Sequence, residues 1–333
     1  MHDLGQGVTL VTGGAGFIGS AVAWALNNRD LNNVWLADFL EGNPAKQRNL
    51  DALSHQRYLD ADELRQLVRT DSKELSEINT VIHLGACSST TETDENYLHD
   101  NNFLYTLELC EWALAKGARF VYASSAATYG DGSAGMDDKT NELEKYKPLN
   151  LYGWSKHKFD LHARDEGLLS RIVGLKYFNV YGPNEEHKGD MRSVVCKAFA
   201  QIQENNGMTL FRSHIPEYRD GEQQRDFLYV KDAVRMTLHL VENVDAGGLY
   251  NLGCGKARTW LDLAHAIFAA LDKNPDITFV DMPESIRDKY QYHTQADISK
   301  IRQTGYSDNL FDLEDAVGDY IRSYLVPNRR LGE

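Results

Sequence analysis

A tyrosine and a lysine four residues apart, Tyr152 and Lys156, follow a serine-containing motif at residues 124–130. On a helix, positions i and i+4 share one face, so the phenol and the ammonium group would lie close together. We expect the ammonium group to lower the pKa of the phenol from its usual value of about 10 and make it an acid/base group near neutrality. Ser125, just after an apolar run, can orient a substrate oxygen. The three side chains predict acid/base chemistry at one substrate oxygen.

A glycine-rich loop near the start of the sequence strengthens this interpretation. Gly13, Gly16 and Gly19 lie between an apolar run at residues 8–11 and a predicted helix at residues 20–27. Glycines at this spacing turn the chain, let the backbone approach a pyrophosphate and let the helix pack on a sheet. The amides at the beginning of that helix would face the phosphates. Strand, loop and helix in this order predict a dinucleotide-binding site.

Asp38 ends the second predicted strand, residues 34–37, where a carboxylate would hold the hydroxyls of the adenosine ribose. This favours NAD, because the carboxylate would repel the 2′-phosphate of NADP. Lys46 and Arg48 follow in the next loop and can neutralise such a phosphate. The sequence therefore leaves NAD and NADP open.

Composition limits the possible partners and the compartment. The net charge of −14 and the lack of a basic block predict no nucleic-acid partner. No apolar run approaches the roughly 20 residues that a membrane span needs, and the first strand begins too early for a signal peptide. The four cysteines lack metal-ligand spacing, so we expect a cytoplasmic protein with reduced thiols and no metal site. They are Cys87, Cys110, Cys196 and Cys254.

Apolar strands alternate with helical segments along the first half of the 333-residue chain. This alternation predicts an α/β fold, with a doubly wound parallel sheet and a smaller mixed α/β substrate domain. We expect a dinucleotide-binding domain at residues 1–178 and a substrate domain at residues 179–333, with segments near 215–255 returning to the first domain. The remaining predicted strands and helices are residues 81–84, 120–123 and 171–179, and residues 94–116 and 152–166.

The chain resembles the extended short-chain dehydrogenase/reductase superfamily, which has the glycine loop, Ser125, Tyr152 and Lys156 in this order. Several segments resemble, within it, the nucleotide-sugar epimerases that invert C6 of ADP-heptose for bacterial lipopolysaccharide. These segments are residues 83–92, 100–102, 148–153, 177–183, 187–189, 225–227, 290 and 294–297. The resemblance implies a nucleotide-sugar substrate, a tightly bound NADP or NAD in each subunit, and a homo-oligomer.

The resemblance also implies a role for each site residue. Tyr152 and Lys188 would be two acid/base groups, one for each orientation of the sugar. Ser125 would bind the reacting oxygen, and Lys156 would tune Tyr152 and hold the nicotinamide ribose. Cofactor contacts would be Gly13, Gly16, Phe17, Ile18, Gly19, Asp38, Phe39, Lys46, Leu84, Gly85, Ala86, Cys87, Ser88, Asn101, Lys156, Val180 and Lys188. Substrate contacts would be Ser125, Asn179, Asp190, Lys197, Phe211, Arg212, Ser213, His214, Arg225 and Tyr290.

Some of these residues admit a second interpretation. Lys188 in isolation would be a solvated loop lysine, but its place between His187 and Gly189 favours the catalytic role. Arg225 can grip a diphosphate with two hydrogen bonds, or it can pair with Asp226. Asp190 and Lys197 depart from the pattern of the group, and residues 213–224 form a longer segment than usual. The exact sugar nucleotide therefore stays open.

Three other functions fit the motifs less well. A sugar-nucleotide 4,6-dehydratase needs an acid after the serine, where this chain has Ala126 and Ala127. A UDP-hexose 4-epimerase shares the motif around Ser125, but it needs no second base such as Lys188. A non-catalytic dinucleotide-sensing protein need not keep Ser125, Tyr152 and Lys156 together. The sequence thus favours the C6 epimerase, with the 4-epimerase as the nearest alternative.

Overall fold

Alternating strands and helices build one large sheet and two small ones. The computed structural model describes residues 1–40, 42–287 and 290–333. In these residues the strands are β1 Val8–Thr12, β2 Val34–Asp38, β3 Arg57–Asp60, β4 Ile78–His83, β5 Arg119–Ser125, β6 Ile172–Tyr177, β7 Asn179–Tyr181, β8 Met208–Phe211, β9 Gln224–Tyr229, β10 Gly248–Leu252, β11 Ala257–Thr259 and β12 Ile277–Val280. The α-helices are α1 Phe17–Asn27, α2 Pro44–Arg48, α3 Ala61–Arg69, α4 Glu95–Leu98, α5 Tyr105–Ala115, α6 Leu151–Asp165, α7 Val194–Asn205, α8 Val230–Glu242, α9 Trp260–Ala270, α10 Glu284–Arg287, α11 Ser299–Gln303 and α12 Leu313–Asp319.

The large sheet is parallel and has the strand order β10-β6-β5-β4-β1-β2-β3. Every residue of β1, β2 and β10 is buried, as expected for strands covered by helices on both faces. The chain order reverses between β1 and β4, so their carboxyl ends open a crevice suited to a ligand. The predicted doubly wound α/β fold is confirmed.

Two smaller sheets, β11-β9-β7 and β12-β8, form a second layer of mixed direction. The chain then returns to the large sheet, because β10 pairs with β6 and α8 packs against α1. Tyr177 ends β6 in the large sheet, and Asn179 begins β7 in a small one. The domain limits at residues 178 and 179 remain a prediction. No helix in the described part of the chain is both long enough and apolar enough to cross a membrane.

Two predicted elements are divided in the structure. The predicted strand at residues 171–179 is β6 and β7, because Phe178 leaves the large sheet and its amide donates to the carbonyl of Leu252 (3.0 Å). The predicted helix at residues 94–116 is α4, a π-helical segment His99–Leu104, and α5. Asn102 lies in this π-helical segment and is buried. Such insertions often shape functional sites, and this one turns Asn102 toward the crevice.

Candidate active site

The predicted catalytic residues meet in a cavity of about 510 Å³ beside the carboxyl ends of the central strands. Ser125, Tyr152, Lys156 and Lys188 all line it, although they come from β5, α6 and a loop after β7. Every predicted cofactor residue except Phe39 and Asn101 lines it as well. Phe39 is exposed, and the side chain of Asn101 donates to Asn102 instead. Below, we call this space the dinucleotide cavity.

The glycine loop leaves no room for side chains where a dinucleotide would approach. Gly13 has a φ of +66°, and a Cβ atom on Gly19 would stand 2.0 Å from the carbonyl oxygen of Gly13. Helix α1 begins at Phe17 without a side-chain cap, so its first amides remain available for an anion. Backbone geometry and amide donors therefore fit a pyrophosphate.

Asp38 is held firmly at the end of β2. Its carboxylate accepts hydrogen bonds from the amides of Ala15 (3.0 Å) and Phe39 (2.8 Å). Lys46, from the short helix α2, forms an ion pair with Asp38 at 2.5 Å and donates to the carbonyl of Phe39. Arg48 points away and pairs with Glu333 at 3.0 Å. The charge of Lys46 is thus balanced by Asp38, and Arg48 is engaged elsewhere.

The dinucleotide cavity concentrates positive charge in an acidic protein. Among its lining residues are three lysines, Lys46, Lys156 and Lys188, and one carboxylate, Asp38. Burial lowers the pKa of His187, a further lining residue, to about 4, so this imidazole is neutral at pH 7. A surplus of two positive charges in a chain of net charge −14 suits a polyanionic ligand.

Tyr152 and Lys156 lie on the same face of α6, as predicted. A hydrogen bond with Ser125 lowers the pKa of Tyr152, but burial outweighs it and the pKa is raised. The pKa of Tyr152 therefore lies above its usual value, opposite in direction to the expectation. Lys156 itself is 5% exposed, and burial lowers its pKa to about 8 while the nearby Asp160 opposes the shift. The pair is more strongly desolvated than its spacing alone suggests.

A buried ion pair connects the elements that carry Ser125 and Tyr152. Lys176 of β6 and Asp160 of α6, both without solvent exposure, are 2.7 Å apart. The hydroxyls of Tyr122 and Ser124 donate to Asp160, and Lys176 also donates to Thr128 (2.6 Å). The network joins β5, β6, α6 and the turn after Ser125. It fixes where Ser125 stands relative to the helix that carries Tyr152.

Lys188 reaches the dinucleotide cavity from the 3₁₀ segment Glu186–Met191, in which Gly189 has a φ of +54°. Its ammonium lies over the ring of Phe17, 5.3 Å from the centroid. Burial lowers the pKa of Lys188, and the carboxylate of Glu185 opposes this shift. A partly desolvated lysine next to the glycine loop differs from a solvated loop lysine, because burial makes its ammonium group easier to deprotonate.

Three of the predicted substrate residues line a second cavity of about 220 Å³, which we call the Phe211 cavity, and a fourth, Arg225, contacts two of its aromatic rings. Lys197, Phe211 and Tyr290 line it together with Trp260. Arg225 is 6% exposed, and its guanidinium lies over the rings of Tyr290 (4.9 Å) and Trp260 (5.6 Å). It does not pair with Asp226, whose carboxylate accepts amides of Cys254, Gly255 and Ala296. An anion is the natural partner for such a guanidinium.

Ser125 lines the dinucleotide cavity, whereas the other predicted substrate residues line neither cavity. Asn179 accepts a hydrogen bond from Thr294 (3.3 Å), and the backbone of Asp190 accepts one from Lys197 (3.2 Å). Arg212 and Ser213 contact Asp220, and His214 accepts from the amide of Met282. The two departures from the expected pattern, Asp190 and Lys197, therefore contact each other.

Sequence reasoning missed several residues that shape the site. Asn102 accepts from the amide of Cys87 (2.8 Å) and donates to the carbonyl of Cys87 and to Ser155. It anchors the loop after β4, a role that the π-helical segment gives to Asn102 rather than Asn101. A further cavity, of about 960 Å³, is lined by Tyr290 and residues 295–297 of the segments singled out above, and by residues that carried no prediction of their own, such as Tyr218, His293 and Asp131.

Residues 9–253 match the model of the NAD dependent epimerase/dehydratase family, and the chain belongs to this family. The crevice, the glycine loop and the Ser125–Tyr152–Lys156 set agree with it. A solved UDP-glucuronic acid 4-epimerase from Bacillus cereus in complex with NAD superposes with a TM-score of 0.74, at 27% identity, over 95% of this chain and 98% of that one. Family membership and the features of the dinucleotide cavity support the expected binding of NAD.

Within the family, the chain is similar to proteins named ADP-L-glycero-D-manno-heptose-6-epimerase. The one from Nitratidesulfovibrio vulgaris (Hildenborough) is 49% identical over 95% of this chain and 98% of its own length. The crystal structure of the Helicobacter pylori protein of that name has a TM-score of 0.79 at 28% identity, covering 97% of this chain and 98% of that one. The resemblance expected from the sequence is confirmed.

Proposed function

We propose that the chain inverts C6 of ADP-glycero-manno-heptose, converting the D-glycero to the L-glycero form. The observation that carries this proposal is the meeting of two desolvated acid/base groups, Tyr152 and Lys188, in one cavity behind a glycine loop. The 49% identity to a protein named for this activity supports the same substrate.

The residues of the dinucleotide cavity have different roles in the proposed reaction. NAD bound there supplies a reversible hydride acceptor for C6 of the sugar. Ser125 donates a hydrogen bond to the oxygen on C6. Tyr152 exchanges a proton with this oxygen when the ketone lies in one orientation. After the ketone has turned, Lys188 exchanges the proton of the same oxygen in the other orientation. Lys156 holds positive charge beside Tyr152, which favours its phenolate form. Arg225, between Tyr290 and Trp260, binds the diphosphate of the substrate.

We further infer that the chain prefers NAD to NADP and holds one molecule tightly in each subunit. Lys46 is already paired with Asp38, and Arg48 with Glu333, so neither cation is free for a 2′-phosphate. Tight binding follows from the reaction, because the hydride must return to the molecule that lost it. Mass spectrometry of the denatured protein would identify the dinucleotide that it releases. Release of NADP alone would contradict the preference.

The variant Lys188→Met tests the proposed reaction. It removes the ammonium group and keeps an apolar stem, so the fold and NAD binding should persist. We expect loss of epimerisation by at least about 10²-fold, the usual contribution of a positioned acid/base group. Lys139→Met is the matched control, because Lys139 is exposed and lines neither the dinucleotide cavity nor the Phe211 cavity.

Two results would count against the proposal. If Lys188→Met epimerises ADP-heptose at the parent rate, Lys188 is not an acid/base group. If the parent protein epimerises a UDP-hexose at C4 but leaves ADP-heptose unchanged, the 4-epimerase becomes the better assignment.

A further inference from the structure

The loop that carries Lys188 is held from outside by the last residues of the sequence. Residues 328–333, which we call the clasp, lie against this loop and against the short helix α2. Leu331 is fully buried and belongs to the same apolar cluster as Leu50 and Leu53. Its amide donates to the side-chain oxygen of Asn184 (3.0 Å), four residues before Lys188. The clasp is therefore anchored through its two buried residues, Arg330 and Leu331.

Arg330 makes the contact nearest to Lys188. Its guanidinium forms an ion pair with Glu186 at 3.0 Å, and Glu186 begins the 3₁₀ segment that carries Lys188. Arg330 is 5% exposed. Within the described residues, the Nε atom of Arg330 and the Oε2 atom of Glu186 are buried and have no hydrogen-bond partner, so the contact between Nη1 and Oε1 is the direct link between the two side chains. Each charge thus depends on the other, and the pair ties the beginning of the segment in place.

The clasp is connected to the glycine loop through the same contacts. Asn184 has a left-handed φ of +77°, and its side chain donates to Ser20 of α1 (2.9 Å). Asn49, just after α2, donates to the carbonyls of Ala15 and Asn184, both at 3.0 Å. Clasp, Lys188 loop and glycine loop therefore form one continuous set of hydrogen bonds.

Arg48 of α2 also belongs to this set of hydrogen bonds. It donates to the carbonyl of Asn328 and pairs with Glu333, whose carboxylate also accepts the amide of Arg330 (2.9 Å). Helix α2 also carries Lys46, the partner of Asp38. One short helix thus contacts both Asp38 in the dinucleotide cavity and the clasp.

We propose that Arg330, through its ion pair with Glu186, is a positioning residue for Lys188. It holds the 3₁₀ segment so that the ammonium stays at the edge of the dinucleotide cavity. The inference rests on the proposed function, because it assumes that Lys188 acts on the substrate. A displacement of about 1 Å in an acid/base group can cost up to about 10²-fold in rate.

The test compares Arg330→Met with Arg329→Met in the full-length protein loaded with NAD. Arg329 is the neighbouring residue of the same type, and its side chain is exposed. We expect Arg330→Met to lower kcat by about tenfold or more with little change in the KM for ADP-heptose, while Arg329→Met keeps the parent rate. Glu186→Gln should repeat the loss from the other partner, and it provides a second route if Arg330→Met folds poorly. Arg330→Lys, which keeps the charge, should restore part of the rate.

A double-variant cycle separates positioning from general damage. Adding Arg330→Met to Lys188→Met should cost nothing further, because the group being positioned is already absent. Hydrogen exchange of residues 183–192 should be faster in Arg330→Met than in Arg329→Met. If Lys188→Met is inactive while Arg330→Met and Glu186→Gln keep the parent kcat, the positioning role is wrong and the proposed function stands. If Lys188→Met itself is fully active, the proposed function fails first.

Discussion

The two sides of the candidate active site are built in different ways. The Tyr152 side stands on a strand and a fifteen-residue helix, and the buried Lys176–Asp160 pair locks these elements together. The Lys188 side is a 3₁₀ segment with a glycine at positive φ, held by Glu185, Asn49 and the clasp. The first is fixed by regular structure, and the second by contacts between segments distant in the sequence.

This difference suggests what each side must do. A group that acts together with Ser125 needs one fixed geometry, which a helix packed on a sheet provides. A group that meets the substrate only after it has turned needs a loop that can adapt and still return to its place. Loops open at lower free energy than core elements, so the Lys188 side is the part expected to tolerate motion. The following predictions test this contrast, from the largest effect to the smallest.

The largest effect is expected on the Tyr152 side. Tyr152→Phe should lower turnover by about 10²–10⁴-fold, the usual range for a positioned acid/base group, and leave the fold and NAD binding nearly unchanged. Circular dichroism, NAD titration and an epimerisation assay measure the three properties. Tyr306→Phe is the control, because the Tyr306 hydroxyl lacks a hydrogen-bond partner within the described residues. Near-normal turnover of Tyr152→Phe would remove this tyrosine from the mechanism.

The second prediction concerns stability. Asp160→Asn leaves the buried ammonium of Lys176 without its counter-charge and should cost about 3–5 kcal/mol of unfolding free energy, measured by urea denaturation. On the Lys188 side, Glu185→Gln alters a carboxylate that accepts from Ser193 and Gly182, and it should cost about 1–3 kcal/mol.

A double variant supplies the control for Asp160. In Asp160→Asn with Lys176→Met, the unpaired charge is gone and an acceptor remains for Tyr122 or Ser124, so part of the stability should return. Equal losses for Asp160→Asn and Glu185→Gln would contradict the contrast between the two sides.

The difference between regular structure and long-range contacts also explains how well each side could be predicted from the sequence. The Tyr152 side was predictable because β-strand, glycine loop and i, i+4 spacing are local patterns with a fixed geometry. The ion pair of Lys176 with Asp160 was not, since sequence does not show that two buried charges sixteen residues apart will meet. The pKa of Tyr152 was predicted in the wrong direction, because the ammonium was considered and the burial was not.

The Lys188 side depended on resemblance, because no local period positions a loop lysine. Nothing in residues 328–333 signals contact with residues 184–186, which lie about 140 positions earlier. Asn101 was named from the resemblance alone, and the sequence did not show that a π-helical segment would place the buried Asn102 against the loop after β4. Long-range packing and irregular helices thus account for what the sequence could not predict.

A third prediction concerns the cofactor, at the helix α2 that touches both the dinucleotide cavity and the clasp. Asp38→Asn removes a negative charge and releases Lys46, so the affinity for NADP should rise about tenfold relative to NAD, or about 1.4 kcal/mol. Titration of the protein freed of its cofactor measures both affinities. Asp60→Asn is the control, since Asp60 ends the next strand, is exposed and lines no part of the dinucleotide cavity. An unchanged ratio in Asp38→Asn would show that Lys46 does not govern the preference.

The smallest expected effect is a shift in the pH dependence of kcat/KM. This shift shows whether titration on the Tyr152 side or on the Lys188 side limits the reaction. Burial lowers the pKa of Lys156 to about 8, so its ammonium is lost as the pH rises through this value, and kcat/KM should fall above pH 8. The Asp160 carboxylate raises this pKa, so Asp160→Asn should move the fall to lower pH. Glu185 acts in the same way on Lys188, so a shift in Glu185→Gln alone would assign the fall to the Lys188 side. A profile that stays flat to about pH 9.5 would mean that catalysis does not need the ammonium group of Lys156 in charged form.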